Sequence, residues 1–135
     1  MRVLLVEDEQ IARTVICRHL VSMDHSVVVA QDGREALRYI GLPFDIILLD
    51  INLPHINGYE LAKKIRDSET YPTFIVAISS NLEVTDGYFD LVHKKPITKE
   101  DLLTILEIGA TNDKTPIDYE RGSETVRRVP STNYG

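Results

Sequence analysis

The 135 residues fit one domain with a tail, and that length buries a core without disulfide or metal staples. Hydrophobic content of 43% and charged content of 27% are those of a soluble globular chain; no apolar run reaches the roughly 18 residues of a membrane span, the N-terminus lacks the pattern of a secretory signal, and no membrane contact is expected. The net charge of −6 disfavours nucleic acid, which needs basic patches, and the lone Cys17 cannot form an internal disulfide, so it reads as a small core residue in a reducing cytoplasm.

The chain opens on VLLV (3–6), apolar at every position, as expected of a strand covered on both faces. From Gln10 to Met23, the residues Ile11, Val15, Ile16, Leu20 and Met23 recur at helical spacing. SVVVA (26–30) is β-branched and predicts a second strand; after Asp32-Gly33, a helix over 34–40 is stopped by Gly41 and Pro43. FDIILLD (44–50) predicts a third strand, 57–67 a helix, and TFIVAIS (73–79) a fourth strand. Before the fifth strand, DLVHK (90–94), residues 81–89 hold only about one turn of apolar pattern, in Leu82 and Val84. The fourth helix is therefore expected to be short or distorted. A last helix follows over 98–108. Beyond Ala110 the pattern dissolves, and 111–135 reads as a polar tail or linker that, if ordered, must pack on its own domain or on a neighbour.

Alternating strands and helices imply an α/β domain over 1–110 with a parallel sheet and right-handed crossovers. Five strands suit the flavodoxin-like, doubly wound order 2-1-3-4-5. Strands one and three are then neighbours, and the site lies at the carboxyl ends of the strands, where the order reverses.

Glu7 and Asp8 close strand one and Asp50 closes strand three. Three carboxylates on one rim repel, and a hard divalent cation such as Mg²⁺ or Mn²⁺ resolves the conflict. Strand four ends at Ser79, and Lys95-Pro96 follows strand five. Acids, a hydroxyl and an ammonium around Asp50 suit phosphoryl transfer to a carboxylate: Asp50 attacks in line, the cation and Lys95 neutralise the phosphoryl oxygens, and Ser79 donates a hydrogen bond. Singly, each residue has a plainer reading: Glu7 and Asp8 as helix caps, Asp50 as a loop residue, Ser79 as a turn hydroxyl, Lys95 as a solvated charge. Their conjunction at four strand ends favours the site. The four histidines, His19, His25, His55 and His93, show no metal-ligand spacing and read as surface or half-buried.

VLLVEDE (3–9), IILLDINLPHINGYEL (46–61), IVAISS (75–80) and KKPI (94–97) resemble the receiver domain of two-component response regulators over about residues 1–110. The resemblance implies that Asp50 accepts a phosphoryl group from a phosphohistidine on a sensor histidine kinase or a histidine phosphotransfer protein. It implies Mg²⁺ bound by Asp8, Asp50 and the Asn52 carbonyl, with Glu7 holding a metal-bound water. Lys95 then pairs with the phosphoryl group, Ser79 is the switch hydroxyl, and the Lys95–Pro96 peptide is cis. Such a module is no enzyme beyond self-phosphorylation and self-dephosphorylation at Asp50. Val92 stands where the family often has an aromatic residue, which leaves Phe89 or Tyr88 as substitutes for the usual aromatic switch. The Ser79–Lys95 interval is short by one to two helical turns, and Ser80 stands where alanine is common. Val92 and the stretch 47–61 are more similar to receivers of hybrid sensor kinases than to those of DNA-binding regulators. A dimer through the tail or the fourth-helix face is left open.

Two rivals remain at this point. A haloacid-dehalogenase-like phosphatase also uses a strand-end aspartate, but it wants a second acid where Asn52 stands, and its metal-binding acids come late in the chain. A pseudo-receiver that only binds partners is disfavoured by the intact Glu7, Asp8, Asp50, Ser79 and Lys95 set.

Overall fold

A computed structural model of the chain describes residues 1–68, 73–81, 88–111 and 126–128. Its strands are β1 (Arg2–Val6), β2 (Ser26–Ala30), β3 (Ile46–Asp50), β4 (Phe74–Ser79), β5 (Leu91–Lys94) and β6 (Val126–Arg128). The helices are α1 (Gln10–Ser22), α2 (Gly33–Leu37), α3 (Gly58–Ser68) and α4 (Lys99–Thr111). The sheet runs β2-β1-β3-β4-β5-β6, with the first five strands parallel and in the expected flavodoxin-like order. Residues 82–87, where the short fourth helix was expected, lie outside the described residues.

Strand alternation splits the core in two. Leu4, Val6, Ile47, Leu49, Ile75, Ala77 and Val92 face one side and pack with Ala36 of α2 and Leu61, Ala62 and Ile65 of α3. Val3, Leu5, Ile46, Leu48, Phe74, Val76, Ile78 and Leu91 face the other, against Ile16 and Leu20 of α1 and Leu102, Ile105 and Leu106 of α4. Covered on both faces, β3 and β4 are buried at every residue, whereas β2, at the edge, is only half-buried over Val27–Val29. Each fully buried Leu, Ile or Val contributes about 1.5–3 kcal/mol, so this double layer fixes where the strand ends fall. Cys17 is half-buried against the second cluster.

The helix ends explain the small departures from the sequence reading. Asp32 accepts the Glu35 amide at 2.8 Å and starts α2, but the helix ends at Leu37 instead of Ile40. Its last turn tightens to three-residue bonds, Arg38 N to Glu35 O and Tyr39 N to Ala36 O, ahead of Gly41, whose φ is +97°, and Pro43. Thr98 and Asp101 cap α4 reciprocally, at 2.9 and 3.1 Å. The tail reading held no strand, yet β6 lies antiparallel along β5, with Val126 opposite His93 and Arg128 opposite Leu91. An open β5 edge offers main-chain groups to any extended segment, and side-chain patterning does not announce such a partner.

Candidate functional site

Register brings the strand ends together. Val6 is level with Leu49, Leu49 with Ala77, and Ala77 with Val92. One step further along, Glu7 bonds through its amide to Ala30 O, Asp50 stands beside Ile78, and the next pair is Ser79 and Lys94. All four predicted strand ends therefore open on one rim.

Asp50, 1% exposed, is the centre. Its Oδ2 accepts from Lys95 Nζ at 2.8 Å and its Oδ1 from the Asn52 amide at 2.9 Å. Glu7, Asp8 and Asp50 each offer a carboxylate oxygen, all within 4.8 Å of one another. Ser79 is buried, and its Oγ accepts from the Asn81 amide at 3.3 Å. The Lys95–Pro96 peptide is cis.

The electrostatics are uneven. Glu7 is buried; its Oε1 accepts from the Glu9 amide at 3.3 Å, while among the described residues its Oε2 meets no donor, and only a proton shared with Asp50 would bond it. Burial first, and the Asp50 charge second, push its pKa from 4.5 up to about 7. For Lys95, burial works against the ammonium, but the hydrogen bond and charge of Asp50, with Glu7 and Asp8 behind it, prevail and raise its pKa. An orphaned buried carboxylate oxygen beside two further acids is a site short of positive charge. All-oxygen ligands at this spacing fit a hard divalent cation.

The plainer reading of the acids, as helix caps, accounts for only part of their placement. The N-cap of α1 is Glu9, with no side-chain cap bond of its own; Glu7 meets the helix start through one oxygen only, Oε1 on the Glu9 amide, and Oε2 is left for the acidic cluster. Gly58 is needed for close approach: a Cβ there would lie 2.6 Å from Ile51 Cα and 2.8 Å from Asp50 O, so α3 starts directly against the Asp50 loop.

Several participants were missed. Arg13 Nη1 donates to the carbonyls of Glu7, at 3.0 Å, and Asp8, at 3.2 Å. Arg66 and Asp90 form a buried ion pair at 2.9 Å. His93 corrects the reading of the histidines as surface or half-buried: it is 2% exposed on β5, with Nε2 3.4 Å from Asp101 Oδ1 and Nδ1 2.8 Å from Lys94 O. The alternation DLVHK, which turns His93 to the same side as Leu91, was the available signal. Phe89 is buried too, edge-on to Tyr59 with centroids 5.8 Å apart, and Tyr88 is half-buried.

The family described as the response regulator receiver domain matches residues 3–107. The chain is 34% identical over 105 residues to the transcriptional regulatory protein YrkP of Bacillus subtilis (strain 168), covering 75% of this chain and 46% of that one. It is 38% identical over 139 aligned positions to the transcription factor prr1 of Schizosaccharomyces pombe, covering 97% of this chain and 25% of that one. The chain thus spans less than half the length of these curated relatives. Among solved structures it is similar to the receiver domain of the sensor histidine kinase PA1611 of Pseudomonas aeruginosa PAO1, solved with a magnesium ion coordinated in the active site cleft. The TM-score is 0.71, with 31% identity over 78% of this chain and 93% of that one.

Proposed function

The chain belongs to the response regulator receiver family and is a phosphoacceptor signalling module, and from that premise we propose that Asp50 is the residue that takes the phosphoryl group. The observation that carries this is the Lys95–Asp50 contact at 2.8 Å, at a site where Glu7 and Asp8 also bring carboxylate oxygens close to Asp50, with Ser79 at the end of the intervening strand β4. A phosphohistidine on a sensor histidine kinase or a histidine phosphotransfer protein is the donor class. An Asp50 carboxylate oxygen bonds to phosphorus as the N–P bond breaks, and the leaving imidazole takes its proton from solvent. Lys95 passes from the carboxylate to a phosphoryl oxygen, and the Ser79 hydroxyl turns from the Asn81 amide to donate to another. Water later attacks the phosphorus, the P–O bond to Asp50 breaks, and inorganic phosphate leaves as the carboxylate is restored; this gain and loss at Asp50 is the chemistry the reading assigns to the module.

Mg²⁺ or Mn²⁺ would be held by Asp8, Asp50 and the Asn52 carbonyl, with Glu7 acting through a water. When bound, the cation supplies positive charge against the transferring oxygens. The orphaned Glu7 oxygen supports this assignment.

Residues 1–110 form the signalling unit and 111–135 its tail. Relatives of two kinds, a sensor kinase receiver and two transcriptional regulators, contain such a unit, so the proposal is confined to the unit itself. The unit is read as a cytoplasmic partner of proteins, as its donor class implies, and the net charge of −6 supports no nucleic-acid contact of its own; none of the described helices is long and apolar enough to cross a membrane. No observation on the site favours the phosphatase or the pseudo-receiver.

The test is labelling by acetyl phosphate with Mg²⁺, read by intact mass. A single added phosphoryl group, absent from Asp50→Asn, is expected. Labelling that persists in Asp50→Asn, or steady phosphate release from small phosphomonoesters, would overturn the assignment.

A further inference from the structure

Arg13 lies near the N-terminus of α1, the end at which the helix dipole disfavours a cation. Its guanidinium is directed at main chain: Nη1 donates to Glu7 O at 3.0 Å and to Asp8 O at 3.2 Å. These carbonyls belong to successive peptide planes, one on each side of the Asp8 Cα. Because each plane is rigid, fixing both fixes the Asp8 backbone dihedrals, and with them the direction of its Cβ. Asp8 is exposed; the other bonds of this loop, from the Glu7 amide to Ala30 O at 3.1 Å and from the Glu9 amide to Glu7 Oε1 at 3.3 Å, engage the residues on either side of it, whereas Arg13 grips the two peptide planes that flank Asp8 itself.

We propose that Arg13 is a positioning residue for the divalent cation: it holds the β1–α1 loop so that the Glu7 and Asp8 carboxylates face Asp50. This rests on the cation reading given above. Two effects of the guanidinium oppose each other. Its positive charge repels a cation, whereas its grip on the two carbonyls keeps the ligands aimed. The charge sits at a half-exposed position behind the loop, where water and salt screen it. Groups that orient metal ligands from outside typically change affinity by about 10- to 100-fold. Orientation therefore wins, and losing Arg13 weakens binding although a repelling charge has gone.

The sign of the effect makes the experiment decisive. Mg²⁺ alone is titrated into the full chain, followed by the amide shifts of residues 7–9 and 50–52, with a thermal melt in EDTA for each variant. Arg13→Met keeps the apolar stem and removes both donor and charge; about tenfold weaker Mg²⁺ binding is expected, with the EDTA melt little changed. Arg13→Lys keeps the charge but has too short a reach for both carbonyls, and weaker binding is expected there also; it carries the comparison where Arg13→Met does not fold. Equal or tighter binding in the variants, with the wild type saturable, overturns this inference alone. No saturable shift in the wild type overturns the cation reading, and this inference with it.

Discussion

Lys95 Nζ lies 2.8 Å from Asp50 Oδ2, and the two residues sit 45 positions apart at the ends of strands that are not neighbours. β4 stands between them, so the lysine reaches across the end of the strand that carries Ser79. In this state the ammonium compensates a carboxylate that is 1% exposed. A charge-assisted bond of this kind is stronger than a neutral one, and it ties the loop after β5 to the end of β3.

Lys95→Ala should therefore separate labelling from switching. The double-sided core is untouched, so far-UV circular dichroism should match the wild type. Removing one preorganised positive group from a developing anion typically costs tenfold or more in rate. Acetyl phosphate should label Asp50 at least about tenfold more slowly. The amide shifts that phosphorylation induces at Ser79–Asn81 should shrink or vanish, and wild-type shifts in the labelled variant would refute the coupling.

Glu7 gives a pH dependence whose sign can be worked out. Its carboxyl is raised from 4.5 to about 7, by burial and then by Asp50. Between those values the folded chain binds more protons than the unfolded one, so this group's contribution falls as pH rises through the window. His25, held below its usual value by burial and the amino terminus, acts in the opposite direction. The difference between wild type and Glu7→Gln isolates the Glu7 part. In EDTA, wild type should lose stability relative to Glu7→Gln between pH 5 and 7.5, read from urea midpoints, and Mg²⁺ should restore it. Because proton and cation compete for one carboxylate, Mg²⁺ affinity should drop below about pH 7. A flat difference between the two proteins would remove Glu7 from the linkage.

The sheet and the acidic rim were legible because both depend on short-range pattern. VLLV and IILLD are apolar throughout since helices cover both faces, and a strand that ends in an acid exposes it at the rim. What escaped depends on distant partners. Arg13 is one polar residue of an amphipathic helix until the Glu7 and Asp8 carbonyls come within 3.0–3.2 Å. Arg66 and Asp90 are 24 residues apart, and neither announces a buried pair. β6 is three residues, VRR, too short for a periodic pattern, and it is defined by its pairing with β5. The length of α2 turned on three-residue bonds before Gly41, a choice that propensity does not specify.

The Arg66–Asp90 pair yields a stability prediction. Nη2 meets Asp90 Oδ2 at 2.9 Å, Nε donates to Tyr88 O at 2.9 Å, and Nη1 donates to Thr73 O. Asp90 Oδ2 also accepts the Ile75 amide at 2.9 Å. One guanidinium thus ties α3 to the segments that lead into β4 and β5. Asp90→Ala leaves a buried cation without its anion, which costs about 3–5 kcal/mol. Replacing both partners, as Arg66→Met with Asp90→Leu, removes the stranded charge and should cost less than Asp90→Ala alone. Urea unfolding of the three proteins measures this. A loss under about 1 kcal/mol for Asp90→Ala would mean that the pair is solvated.

The tail makes the last prediction. β6 adds three residues to the β5 edge, opposite Leu91, Val92 and His93. Each hydrogen bond of such a ladder is worth about 0.5–1.5 kcal/mol net, and ordering the segment offsets part of that gain. Ending the chain after Thr111 should lower stability by about 1–2 kcal/mol, or roughly 4 °C in Tm per kcal/mol. The fold should survive, because every described residue of the two core clusters lies before the cut. Amide exchange should quicken at β5 and stay unchanged at β3, which lies two strands away. The uncovered edge should also associate more readily at high concentration, since an open strand offers pairing to a second chain. β5 protection that survives truncation unchanged would show that the tail does not hold this edge in solution.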